Sequence, residues 1–116
     1  MAGLAARRAL SDAVARERPP ESLWRTTPHG ASFPSKHATA SALATIVTLR
    51  GLRAESAAPL VALAVVVGLS RVYLGVHWLT DVLGGWAFAV GWSEIPGLLR
   101  RCGATRIGAA HLGNLW

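Results

Sequence analysis

The sequence predicts an all-α protein, a transmembrane helical bundle of about three membrane helices. Three observations predict it. Hydrophobic residues make up 52 % of the chain and the mean hydropathy is positive. Uncharged runs recur at Ala38 to Leu49, Ala57 to Ser70 and Val82 to Ser93. The arginines fall in the breaks between those runs, at Arg50 and Arg53 and at Arg100 and Arg101, as they do in loops that flank a membrane.

Taken in order, residues 1–30 are an N-terminal stub and loop, residues 31–99 the membrane-embedded core, and residues 100–116 a poorly ordered tail. The first fifteen residues mix Ala, Leu and Arg without a continuous apolar stretch or a small-residue cleavage site, so no signal peptide is read there. Glu21 to Ser32, with Pro28 and Gly30, reads as a loop. Three helices follow, Lys36 to Leu49, Pro59 to Val72 and His77 to Leu98. By length alone each run fits a buried core helix as well as a membrane span, because a span takes roughly 20 apolar residues. Admitting isolated polar residues changes the balance. Val72 to Leu99 becomes one apolar segment broken by His77, Asp81 and Glu94, and ionisable groups at membrane depth mark function. Trp78 and Trp92, about 21 Å apart along a helix, suit either two interfacial anchors or two core residues. Ala87 and Gly91 give a small-residue spacing that would admit a neighbouring helix, although alanine-rich sequence produces such spacings by chance more often than not.

The net charge of +6 raises the question of nucleic acid, but the cations are not interleaved with stacking aromatics, and no nucleic-acid partner is expected. The single cysteine, Cys102, excludes an internal disulfide and a cysteine-rich metal cluster. His29 and His111 stand outside any motif and read as exposed or structural.

The chemistry concentrates in Ser70-Arg71-Val72-Tyr73-Leu74-Gly75-Val76-His77-Trp78-Leu79-Thr80-Asp81. On a helix starting at His77, His77 and Asp81 share a face at i and i+4. A carboxylate accepting from one ring nitrogen fixes the tautomer and leaves the other as a nucleophile or base. Arg71 adds a permanent forked cation suited to phosphate. Upstream lie Ser32-Phe33-Pro34-Ser35-Lys36-His37 and Ser11 to Pro20. In this order the three clusters resemble the type-2 phosphatidic-acid phosphatase superfamily, which shares its site with vanadium haloperoxidases. The family carries Lys-x6-Arg-Pro, Pro-Ser-Gly-His and Ser-Arg-x5-His-x3-Asp. The third motif is complete at Ser70, Arg71, His77 and Asp81; Ser11 stands in place of the first Lys ahead of Arg18 and Pro19, and Lys36 replaces the Gly between Ser35 and His37.

The resemblance covers Leu10 to Leu99 and implies a partial version of the family's six-helix fold, as a short or truncated member or one that completes itself by homo-oligomerising. It implies removal of phosphate from a membrane lipid, either a polyprenyl phosphate or a phosphatidate, with no metal and no cofactor. By that resemblance His77 attacks phosphorus to form a phosphohistidine, Asp81 orients it, and His37 protonates the leaving oxygen and then activates water. Arg18, Ser35, Arg71 and the amides near Lys36 hold the phosphate oxygens; the alternative for Ser35 is that it only caps the helix that begins near Lys36. Lys36 either supplies the cation missing at Ser11 or obstructs the cradle. A vanadate-dependent haloperoxidase and a non-catalytic membrane relative are the rival classes; the first is disfavoured by the small size and hydrophobicity of the chain.

Helix parity places His37 and His77 at one membrane face and the paired arginines at the other, so the site of a bacterial plasma-membrane protein would open outward. In intact cells an impermeant thiol reagent is expected to label a cysteine placed at Thr27 and to miss one at Gly51. The reverse pattern would reject this topology.

Overall fold

The computed structural model describes residues 2–51 and 57–112, with α4 side chains as far as Gly103. Helices α1 (Ala2–Val14), α2 (Lys36–Gly51), α3 (Ala58–Tyr73) and α4 (Leu79–Leu112), with a short 3-10 turn at Glu21–Leu23, are its regular elements, and no strand occurs among the described residues. The three expected helices appear, α2 and α3 within two residues of their predicted bounds. Pro59 lies in the first turn of α3, where its missing N–H is not needed. Three of the expectations are corrected. The N-terminal stub contains a helix, α1. His77 and Trp78 lie in the turn before α4 rather than inside it. Helix α4 continues to Leu112 where a disordered tail was expected; the side chain of His111 and the whole of Arg53 lie outside the described residues.

Small residues set the packing. Among the described residues the buried apolar side chains of the helices and of the turn before α4 are Ala38, Ala64, Val76, Val82 and Ala89, so the helices meet closely rather than around bulky side chains. Gly68 of α3 lies under Trp86 and Val82 of α4, and Gly85 of α4 lies against Ala38 and Thr39 of α2. Ala87 and Gly91 are exposed, with nothing near Gly91, in keeping with a chance spacing. Helix α1 docks by its own glycine, Gly3, against Trp92 and Leu43. It ends at Ala15, whose φ of 49° turns the chain out of the helix, in the left-handed role usually given to glycine.

His37 and His77 share one end of the bundle, as expected. The start of α2, the end of α3 and the start of α4 meet at one end of the bundle, where Lys36, His37, Arg71 and His77 line one cleft. At the other end Arg50 donates to the Ser93 carbonyl at 2.8 Å and pairs with Glu94. Among the described residues no helix is long and apolar enough to cross a membrane. Helices α2 and α3, at 16 residues each, are about 24 Å long against roughly 30 Å of hydrocarbon. The length of α4 is interrupted by Glu94, Pro96, Arg100 and Arg101.

The turn from α3 to α4 is closed by Gly75, with φ of 70° and the Leu23 carbonyl 1.9 Å from where a Cβ would stand. Gly75→Ala is therefore expected to lower stability by about 2 to 4 kcal/mol, from the left-handed conformation and from displaced backbone. Thermal unfolding of purified protein in detergent would show it, and an unchanged midpoint would contradict the packing described here.

Candidate active site

Three segments converge on the turn before α4. Asp81 is the third residue of that helix, and its Oδ2 accepts the backbone N–H of Trp78 at 2.8 Å, which satisfies a donor that the helix start leaves open. The same oxygen accepts from the Ser32 hydroxyl, while Oδ1 pairs with Arg16 Nη1 at 2.9 Å. The carboxylate is fully buried and His77 nearly so, at 5 % exposure. A buried charge is tolerated only when paired and hydrogen-bonded, and Asp81 meets that condition through partners from two distant segments.

His77 takes its state from this arrangement. Its Nδ1 lies 3.4 Å from Asp81 Oδ2, an ion-pair approach without the alignment of a full hydrogen bond. Its Nε2 lies 3.3 Å from Arg18 Nη1. A guanidinium only donates, so Nε2 is the acceptor and the ring proton belongs on Nδ1, facing the carboxylate. The i and i+4 pairing expected on a helix is thus formed across a helix start.

Arg18 has every N–H engaged. Besides His77 it donates to the carbonyls of Val76 (2.7 Å), His29 (2.8 Å), Gly30 (2.9 Å) and Ala31 (3.2 Å). Burial pushes its pKa down from the ordinary arginine value and the charge of Asp81 pushes it back up, leaving a cation. Arg18 therefore clamps the loop over His77, and in this structure offers a phosphate its charge but no spare hydrogen bond.

The cleft above has a volume of about 650 Å³. Arg7, Arg8, Arg18, Lys36 and Arg71 line it against one carboxylate, Asp12, and it also holds His29, His37 and His77. Lys36 and His37 are exposed there. Ser35 fits the capping alternative. It is fully buried and outside the cleft, its N–H donating to the Asp81 carbonyl at 3.0 Å and its hydroxyl facing the Ala38 N–H at 3.5 Å. It caps α2 and joins it to α4. The described residues with buried side-chain donors lacking an acceptor are instructive. The atoms are Arg7 Nε, Arg71 Nε, His77 Nδ1 and Trp86 Nε1, and the first three belong to cleft residues. Among the described residues no cluster of His, Cys, Asp and Glu could hold a metal ion.

Sequence reasoning missed Arg16, Ser32 and Arg7. Arg16 stands two residues before Arg18, and Ser32 three before Ser35, so both lay beside motif residues, but nothing in their spacing predicts a pairing across the chain.

A histidine with a bare Nε2, an oriented carboxylate and a wall of cations is an arrangement for a nucleophile acting on an anion. The sequence profile of the PAP2 superfamily matches residues 4–95. The chain belongs to that superfamily. It is 50 % identical over 54 residues to the putative undecaprenyl-diphosphatase YbjG of Escherichia coli (strain K12), a match covering 47 % of this chain and 27 % of that protein. It is 64 % identical over 28 residues to phosphatidylglycerophosphatase B of Bacillus subtilis (strain 168), covering 24 % of this chain and 14 % of that protein. The crystal structure of a transmembrane PAP2 type phosphatidylglycerolphosphate phosphatase from Bacillus subtilis superposes with a TM-score of 0.60 at 26 % identity, over 85 % of this chain and 56 % of that one. The chain thus spans little more than half of its solved PAP2 relative.

The tautomer of His77 can be tested without any assumption about turnover. Nitrogen-15 NMR of labelled protein is expected to show Nδ1 protonated and Nε2 bare in the wild type, with Asp81→Asn giving a mixture because the amide can also donate. A wild-type ring protonated on Nε2 would contradict the Arg18 contact.

Proposed function

We propose that the chain is, or is the catalytic part of, a metal-independent phosphatase acting on a membrane lipid phosphate. The observation that carries this reading is the bare Nε2 of buried His77 beneath a cleft walled by five cations. The names of the PAP2 relatives point to undecaprenyl diphosphate and phosphatidylglycerophosphate, so a lipid carrying a phosphate monoester or anhydride is the substrate class.

In this mechanism Nε2 attacks phosphorus in line with the bond to the lipid oxygen. That bond breaks as a phosphohistidine forms, and protonated His37 gives its proton to the leaving oxygen. Asp81 holds Nδ1–H and offsets the charge that develops on the ring. Neutral His37 then takes a proton from water, whose oxygen attacks phosphorus and releases inorganic phosphate with His77 restored. Arg71 and Lys36 stabilise the non-bridging oxygens. Arg18 adds charge, and its Nη1 passes from Nε2 to a phosphate oxygen when Nε2 bonds to phosphorus.

The bilayer is the proposed setting, with α2, α3 and the first part of α4 embedded and the site at the outer face. Val61, Leu63, Val65, Val66 and Leu69 of α3 are all exposed, an apolar surface that water does not suit. One observation favours a non-catalytic relative instead: every Arg18 donor is already occupied by protein.

Turnover decides between the readings. With purified protein in detergent, His77→Ala is expected to abolish both phosphate release and trapped phosphoenzyme. His37→Ala should lower turnover by about 10²- to 10⁴-fold, the usual worth of a general acid–base group, yet still form the phosphoenzyme from a substrate with an activated leaving group. Near-normal hydrolysis by His77→Ala would reject the covalent mechanism.

A further inference from the structure

One wall of the cleft lies upstream of every motif. Helix α1 places Arg7 four residues before Ser11, the position where the superfamily pattern has a lysine, and residues four apart share a helix face. Ser11 is buried at 2 % exposure and carries no charge. Arg7 lines the cleft, and its Nη1 donates at 2.7 Å to the carbonyl of Pro34, the residue that opens the second motif. Its Nε is buried without an acceptor. Arg71 of the third motif is in the same condition, with a buried and unpartnered Nε beside the same cleft. An unpaired buried donor is costly and calls for an acceptor. Both side chains line the cleft, so an anion with several oxygens there would meet two guanidinium groups, and the buried Nε atoms show that neither charge is neutralised by a protein acceptor at that nitrogen.

The neighbouring cations fit less well. Arg8 pairs with Asp12 at 3.9 Å and is 81 % exposed. Lys36 is exposed, and among the described residues no hydrogen bond or ion pair fixes its ammonium. Arg7 alone in α1 is held in place by one nitrogen while keeping a buried donor open.

We propose that Arg7 is a phosphate-binding residue that supplies, from one helical turn upstream, the cation absent at Ser11. It rests on the phosphatase reading of the cleft. Its anion is a phosphate oxygen of the substrate, shared with Arg71 of the same cleft. The Pro34 contact sets the height of the guanidinium relative to the second motif, so Arg7 also ties α1 to the site.

The test is binding of orthovanadate, a phosphate mimic, to the full chain in detergent, followed by titration calorimetry and paired with thermal unfolding without anion. Arg7→Gln retains an amide donor for the Pro34 carbonyl but not the charge. It is expected to weaken vanadate binding by about tenfold or more, the scale of one charge-assisted hydrogen bond, with the unfolding midpoint little changed. Adding Ser11→Lys should restore binding to within about threefold, because the lysine returns the charge to the family position. Arg7→Ala, which also loses the Pro34 contact, should bind vanadate no better than Arg7→Gln and unfold earlier. Wild-type affinity in Arg7→Gln, no recovery with Ser11→Lys, or no vanadate binding by the wild type would each overturn the proposal. A wild type that binds vanadate through Arg7 but hydrolyses no lipid phosphate would reject the phosphatase reading and leave the Arg7 site standing. Hydrolysis indifferent to Arg7 would do the opposite.

Discussion

The structure depends on the burial of one charge. The carboxylate of Asp81 has no exposure to solvent, and in a low-dielectric site an unpaired carboxylate is penalised by several kcal/mol. Its partners are Arg16 from the segment after α1, Ser32 from the segment before α2, and the Trp78 N–H at the start of its own helix. The stretch between Ala15 and Ser35 has little regular structure and few buried apolar side chains. It is held by polar contacts, and they converge on this carboxylate and on Arg18 beside it. Residues 16, 17 and 18 meet Asp81, Trp78 and Val76 in reverse order, so the two segments run past each other as a polar seam. Removing the carboxylate would release the loop, the ends of two helices and the histidine together.

The same seam prepares His77. Arg18 faces one ring nitrogen and Asp81 the other, so the tautomer follows from which neighbour can only donate and which can only accept. Neither group needs to move to prepare the lone pair on Nε2. The helices contribute something different, because small residues at Gly68 and Gly85 let α3 and α4, and α2 and α4, approach closely. That proximity brings Arg71 to the cleft His37 and His77 share. Electrostatic preparation thus comes from the loop, and placement comes from the bundle.

These two layers were unequally legible in the sequence. The bounds of α2, α3 and most of α4 follow from uncharged runs ended by charge or by turn residues, a local signal. Helix α1 was not legible, because its Ala, Leu and Arg residues form a short amphipathic stretch whose stability comes from docking Gly3 against Trp92 and Leu43. The continuation of α4 to Leu112 escaped for a related reason, since periodicity lapses after Arg101. In the site, the third motif supplied His77, Asp81 and Arg71, and the second supplied His37. Arg16 and Ser32 reach Asp81 across sequence separations of 65 and 49 residues, and no spacing rule encodes such pairings. Ser35 was read from its motif as facing phosphate or as capping α2, and its burial fits the cap.

The remaining donors show what the fold leaves undone. Buried polar side chains are normally satisfied, and this chain satisfies Asp81 and Arg18 fully, while among the described residues Arg7 Nε, Arg71 Nε, His77 Nδ1 and Trp86 Nε1 lack a full hydrogen bond, the first three on residues that line the cleft. Five cations and one carboxylate line that cleft, so like-charge repulsion is built into it. An anion with several oxygens relieves the repulsion, and the relief adds to its affinity. The Asp81 network and the close helix contacts hold the cations together against it.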